Sequence, residues 1–223
     1  MAKKQYIVLG LGIFGSTVAK TLSEYGYEVL AVDKDITCVE RVAPIVSQAV
    51  QADMTNLEQL RVIGAGEFDV AIIGTGSNLE NSLLAIINLR ELGVPYIIAK
   101  ARNKSSMKIL EKVGVDRIIR PEKEMGERIA KSLMSRNIVD LIDIDDKYSV
   151  VELMCNHDWI NKSLRELDLR NRLGINIIGI RKLNETSMSI SPTPDYVFQE
   201  DDHLMVIAET AELEKFDYHS KRK

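Results

Sequence analysis

Gly10-Leu11-Gly12-Ile13-Phe14-Gly15 fits Gly-x-Gly-x-x-Gly. It follows an apolar run at 6–9 that reads as a strand, and it leads into a helical pattern at 16–25. In that setting the first glycine permits a tight turn, the second lets a phosphate approach the backbone, and the third lets helix pack on strand. Unpaired N–H groups at the helix start, aided by the macrodipole, would attract a diphosphate. Asp33 closes the next strand, 18 residues after Gly15, where a carboxylate can accept hydrogen bonds from ribose hydroxyls. Glycines serving chain geometry alone are the competing reading.

Outward from this turn, strands at 6–9, 28–32, 47–51, 69–73, 96–99 and 117–119 alternate with helices at 16–25, 36–43, 56–63, 78–92 and 105–113. The strands are near-continuous apolar runs, as expected when both faces of a parallel sheet are covered. Gly26, Gly64, Gly93 and Gly114 each follow a helix, where a left-handed cap is wanted. The alternation predicts a Rossmann-like, doubly wound parallel sheet of order 3-2-1-4-5-6. A helix over 122–137 ends this α/β domain, 1–137. The rhythm then changes to a hairpin (138–145, 148–154), a short helix (163–167), strands at 175–181, 187–191 and 203–209, and a last helix at 211–216. That is a small α+β lobe, 138–223.

Composition excludes several classes. The 223 residues are 45% apolar and 28% charged, which is ordinary for a globular chain. A formal charge of −4 does not suit a nucleic-acid-binding polycation. The first 137 residues carry a net +2 and the remainder −6. No apolar run approaches the ~18 residues that cross a bilayer, and the start lacks the apolar core of a signal peptide. Two cysteines, Cys38 and Cys155, rule out a disulfide framework and point to a reducing cytoplasm.

In an open α/β sheet, ligands lie beyond the carboxyl ends of the strands. Asp53-Met54-Thr55, Gly74-Thr75-Gly76 and Lys100-Ala101-Arg102 follow the third, fourth and fifth strands. Asp53 reads equally well as a helix cap. Lys100 and Arg102, with Lys104 and Lys108 behind, suit a polyphosphate or form a solvated helix start. Tyr96 and Lys100 have the spacing of a dehydrogenase Tyr-x-x-x-Lys pair. On a strand, however, they would stand roughly 13 Å apart instead of one helical turn. His157, His203 and His219 have no metal-ligand spacing. No acid–base or nucleophilic set emerges, so the expectation is nucleotide binding without catalysis. An NAD(P)-dependent oxidoreductase is the alternative.

The run Gly-Leu-Gly-x-Phe-Gly, then Val32-Asp33, Lys100-Ala101 and Arg120-Pro121-Glu122-Lys123-Glu124-Met125-Gly126, resembles the RCK (KTN) regulatory subunits of Ktr/Trk potassium uptake systems. The likeness runs from about residue 4 to 217. It implies a TrkA-N lobe and a TrkA-C lobe, homodimers assembling to an octameric ring, and a membrane potassium-translocating partner. On this reading the chain is cytoplasmic and peripheral to the inner face of the membrane through that partner, with no insertion of its own and no nucleic acid bound. ATP, ADP or NAD/NADH in the first lobe would bias the ring and so control potassium flux.

The resemblance places Leu11, Gly12, Ile13, Asp33, Asp53, Met54, Thr75, Gly76, Lys100 and Arg102 around the nucleotide. Gly10, Phe14, Gly15, Lys34 and Gly74 complete the candidate set. Glu122 would hold a divalent cation such as Mg or Ca near the phosphates. The chain departs from ATP-responsive relatives at Ile13, where they place an arginine that reaches a terminal phosphate. That departure weakens the basis for preferring ATP over ADP. In the second lobe the resemblance implies a cyclic di-AMP site at Leu164, Leu169, Arg170, Asn171, Ile175, Asn176 and Pro192. Arg170 would pair with phosphate and Asn176 would read a base edge, between apolar walls.

Overall fold

The structure, a computed structural model, describes residues 3–76, 78–134, 138–183 and 185–213. The chain forms two compact units that divide between Pro121 and Glu122.

The first unit is a six-stranded parallel sheet: β1 (Gln5–Leu9), β2 (Glu28–Asp33), β3 (Gln48–Gln51), β4 (Val70–Ile73), β5 (Tyr96–Lys100) and β6 (Arg117–Ile119). Its order, β3-β2-β1-β4-β5-β6, is the one expected from the alternation. Successive side chains of a strand face opposite ways, and the buried residues sort accordingly. Ile7, Leu9, Leu30, Val32, Ala71 and Ile73 pack on one side with α3 (Leu57–Val62), α4 (Leu79–Glu91) and α5 (Lys104–Val113), through Leu60, Ile86, Leu89 and Leu110. Val8, Val29, Ala31, Val70 and Ile72 face α1 (Ile13–Glu24) and α2 (Ile36–Val42), through Ala19, Val39 and Val42. Each fully buried Leu or Ile contributes about 2 kcal/mol of hydrophobic stabilisation. The glycines expected after helices, at 26, 64, 93 and 114, all have positive φ.

Helix starts differ in a way that matters later. Asp35, Asn56, Asn78 and Asn103 cap α2, α3, α4 and α5 with their side chains. Gly12 starts α1 without a side-chain cap.

The second unit holds α6 (Pro121–Met134) from Glu122 onward, together with an antiparallel sheet of order β10-β9-β11-β8-β7. Its strands are β7 (Ile138–Asp143), β8 (Tyr148–Met154), β9 (Asn176–Arg181), β10 (Ser189–Ile190) and β11 (His203–Glu209), with α7 (Leu164–Leu167) and α8 (Leu169–Leu173) between β8 and β9. Alternate residues Val151, Leu153, Leu204, Val206 and Ala208 enter the core beside Trp159 and Phe198. Buried Asp202 accepts hydrogen bonds from the Tyr196 hydroxyl and the Gln199 N–H, both at 2.8 Å.

Helix α6 groups with this second unit, ahead of the division at 137 expected from sequence. Arg128 on α6 forms an ion pair with Asp140 on β7, and Lys131 pairs with Asp143 at 2.5 Å. Such pairs between separate elements leave no periodic trace in the sequence. Residues 135–137, where the expected join falls, lie outside the described residues. So do Ser77, His219, the basic end at 221–223 and the last residues of the expected helix at 211–216.

Candidate functional site

The carboxyl ends of β1, β2, β4 and β5 converge on the glycine-rich turn. Gly10 has φ +90°, a left-handed conformation that favours glycine, and a Cβ there would lie 3.1 Å from the Thr75 nitrogen. A Cβ at Gly74 would meet the Gly10 carbonyl oxygen at 2.7 Å. Gly74 is thus a packing wall that lets β4 approach the turn. Gly12 is the opposite case: nothing lies within 4 Å of the Cβ it lacks. This leaves an open cradle against the first N–H groups of α1, which have no intrahelical acceptors.

Asp33 at the end of β2 is tied into the same turn. Its Oδ2 accepts from the Leu11 N–H at 2.6 Å and its Oδ1 from the Asp35 N–H at 2.9 Å. Each carboxylate oxygen keeps a second lone pair for a sugar hydroxyl. Leu11 is itself buried, while Ile13, the first residue of α1, is 92% exposed. Lys34 is exposed, and its carbonyl accepts from the Gln51 side chain at 3.0 Å.

Asp53 does not cap α3, since Asn56 does that. Its Oδ1 accepts from the Thr55 N–H at 2.8 Å and hydroxyl at 2.7 Å, which lowers its pKa. The turn is held from behind by the buried Asn88 amide, which donates to the carbonyls of Met54 and Thr55 at 3.4 and 3.0 Å. Met54 packs against the core beneath. At the end of β5, the Lys100 ammonium lies 5.9 Å from the Phe14 ring centroid, and the Lys100 stem lines the open side of Gly76. Arg102 is exposed two residues on. Two cations, a cap-free helix start and a carboxylate beside the turn are chemically suited to a nucleotide carrying at least two phosphates.

The sequence pattern missed Asn88 and Arg41, whose roles come from distant elements. The Arg41 guanidinium on α2 donates to the Leu11 carbonyl oxygen at 2.8 Å. Glu122 is exposed in the first turn of α6 and belongs to the second unit. Among the described residues, no group of three or more His, Cys, Asp or Glu side chains converges as a metal site. His157 lies in a 3-10 turn capped by Asn156, and Tyr96 and Lys100 are the two ends of strand β5.

Residues 6–121 match the TrkA-N domain family and residues 149–217 the TrkA-C domain family. The chain is 38% identical to Ktr system potassium uptake protein C of Bacillus subtilis over 215 residues, 96% of each chain. It belongs to the TrkA-N/TrkA-C family. Ktr system potassium uptake protein A of B. subtilis is 37% identical over 214 residues, again 96% of each. Among solved structures, the GsuK RCK domain shares the fold at a TM-score of 0.66 and 17% identity, over 97% of this chain and 47% of that one. This family member therefore spans about half the length of that structural relative.

In the second lobe of this TrkA-C protein, the positions considered for cyclic di-AMP gather at α7, α8 and the start of β9, with Pro192 after β10. They divide by burial. Leu169 and Ile175 are core residues, and Leu164 packs on that core. Arg170, Asn171 and Asn176 are exposed. Asn171 donates to Oδ1 of Asp168, whose left-handed backbone (φ 45°) separates α7 from α8, at 2.8 Å. Arg170 and Asn176 are thus solvent-exposed polar residues, whereas Leu169, Ile175 and Leu164, expected as walls, belong to the core or pack on it.

Among the described residues, no helix is long and apolar enough to cross a membrane.

Proposed function

We propose that this chain is a nucleotide-sensing regulatory subunit of a potassium uptake system, working with a membrane potassium-translocating partner. The observation that carries the reading is the cap-free start of α1 beside Asp33, in a chain 38% identical to a Ktr potassium uptake protein over nearly its whole length. ADP, ATP or a dinucleotide would lie along the carboxyl ends of β1, β2, β4 and β5. Its ribose would meet Asp33, and its phosphates the open side of Gly12 and the Lys100–Arg102 cations. Asp33 suits an unphosphorylated ribose and so accommodates NADH as well as ATP and ADP. The solved GsuK channel bound to NAD has this fold, at a TM-score of 0.66 and 16% identity.

Ligand can control flux only by binding one assembled state better than another. Homodimers closing into an octameric ring would supply such states, and Glu122 would hold a divalent cation such as Mg or Ca. A cyclic di-AMP site at Arg170 and Asn176 would give the second lobe its own input.

The test is calorimetric titration of the full chain with ADP, ATP, NADH and cyclic di-AMP. It is coupled to potassium uptake by cells that contain the membrane subunit with and without this chain. Tight binding of at least one adenosine ligand, together with uptake that depends on the chain, supports the reading. Uptake unchanged by its removal sinks it.

A further inference from the structure

Leu11 is gripped from two sides by charged residues that the glycine-rich pattern does not contain. Its N–H donates to Asp33 Oδ2 at 2.6 Å, and its carbonyl oxygen accepts from Arg41 Nη2 at 2.8 Å. Arg41 lies in the last turn of α2 and is otherwise exposed, with a second contact of 3.5 Å to the Cys38 sulfur. The Leu11 carbonyl belongs to the same peptide plane as the Gly12 N–H, and every peptide bond described is trans. In a planar trans peptide, C=O and N–H point in opposite directions. Drawing the carbonyl toward α2 therefore turns the Gly12 N–H away from α2, onto the side where its own missing side chain leaves open space. A cation on the carbonyl also polarises the peptide and strengthens its N–H as a donor.

We propose that Arg41 is a positioning residue of the nucleotide site, orienting and polarising the Leu11–Gly12 peptide so that the Gly12 N–H donates to a ligand phosphate. Arg41 need not touch the nucleotide. Its contribution depends on a bond to a carbonyl, which lysine can also make and alanine or glutamine cannot make with charge. The inference rests on the proposed nucleotide reading of this site.

The experiment titrates the full chain with ADP by calorimetry for wild type, Arg41→Ala, Arg41→Gln and Arg41→Lys, with thermal melts of each protein without nucleotide. The expected result is about tenfold weaker ADP binding in Arg41→Ala and Arg41→Gln, the scale of one lost charge-assisted hydrogen bond. Arg41→Lys should recover most of it, with the four melts nearly coincident. Wild-type affinity in Arg41→Ala overturns the positioning role and leaves the nucleotide reading standing. Weakening that Arg41→Lys does not relieve, in step with a lower melting temperature, marks a merely structural contact and also overturns it. Failure of the wild-type chain to bind ADP, ATP or NADH at millimolar concentration removes the nucleotide reading and this inference with it.

Discussion

A Cβ built on Gly15 would stand 1.9 Å from the carbonyl oxygen of Gly10. The turn and the first helix thus meet backbone to backbone, and no side-chain rotation can make room. Gly15→Ala must push α1 off β1, and it should cost about 3 kcal/mol, the upper range for overpacking. Gly12→Ala meets nothing within 4 Å and should keep wild-type stability while its methyl fills the phosphate cradle. Urea melts beside ADP titrations separate the two: stability falls in the first variant, and affinity alone falls in the second.

Asp116 ties β5 to the α5–β6 turn by accepting from the Ile97 N–H at 2.6 Å and from Arg90 at 2.5 Å. Burial raises its pKa, but the bonds from Ile97 and Arg90, with the Arg90 charge, outweigh that and leave it below the ordinary 3.8. A carboxyl held lower when folded lends stability above its unfolded pKa, and that stability is lost as pH falls through the folded value. Asp116→Ala should cost about 2 kcal/mol at pH 7. The gap from wild type should narrow in melts taken below pH 4.

Burial, with a smaller push from Asp202, raises the Cys155 thiol from its ordinary 9.0 to about 12. Little thiolate exists at pH 8, and the thiolate is the reactive form. Iodoacetamide should therefore spare Cys155 in the folded chain and modify it after denaturation, as read by mass spectrometry. The raised value also makes the folded lobe lose stability as pH climbs from 9 toward 12.

Leu169 and Arg170 are neighbours with opposite fates. Leu169 is 4% exposed in the second core, so Leu169→Ala should destabilise that lobe by about 3 kcal/mol. Exposed Arg170 should be dispensable for folding. Arg170→Ala should weaken cyclic di-AMP binding by about tenfold, the weight of a charge-assisted phosphate contact. Undiminished cyclic di-AMP affinity in that variant would remove Arg170 from the site.

Arg102 lies beyond the end of β5 with its side chain in solvent. Arg102→Ala should weaken ADP binding by about fivefold at low salt, and less at 0.5 M, where screening already mutes the charge. Adenosine, which has no phosphates, should bind both proteins alike.

Legibility followed the range of the interactions. The strand runs and the cap glycines at 26, 64, 93 and 114 are local patterns and stand within about two residues of where the pattern put them, whereas α1 begins at Ile13, three residues ahead of the expected start, so the glycine-rich turn is shorter than its motif. Helix α8 was missed because Leu169–Leu173 is only five residues long and opens from Asp168 at φ 45°, too short for any periodicity to register. Asp53 read equally as a ligand contact and as a helix cap, because a carboxylate between a strand end and a helical run suits either. The fold decided for Asn56 by turning Asp53 onto Thr55.

Apolar strands alternating with helices, and spaced glycines, by themselves determined a doubly wound sheet with a glycine-rich first turn, because backbone geometry and burial act over a few residues. Only the tertiary structure decided that Arg41 reaches across 30 positions to Leu11, that Gly74 serves as a wall against Gly10, and that α6 pairs with β7. Those contacts join residues far apart in the chain. A side chain capable of many partners acquires one only when packing brings a particular backbone group within 3 Å.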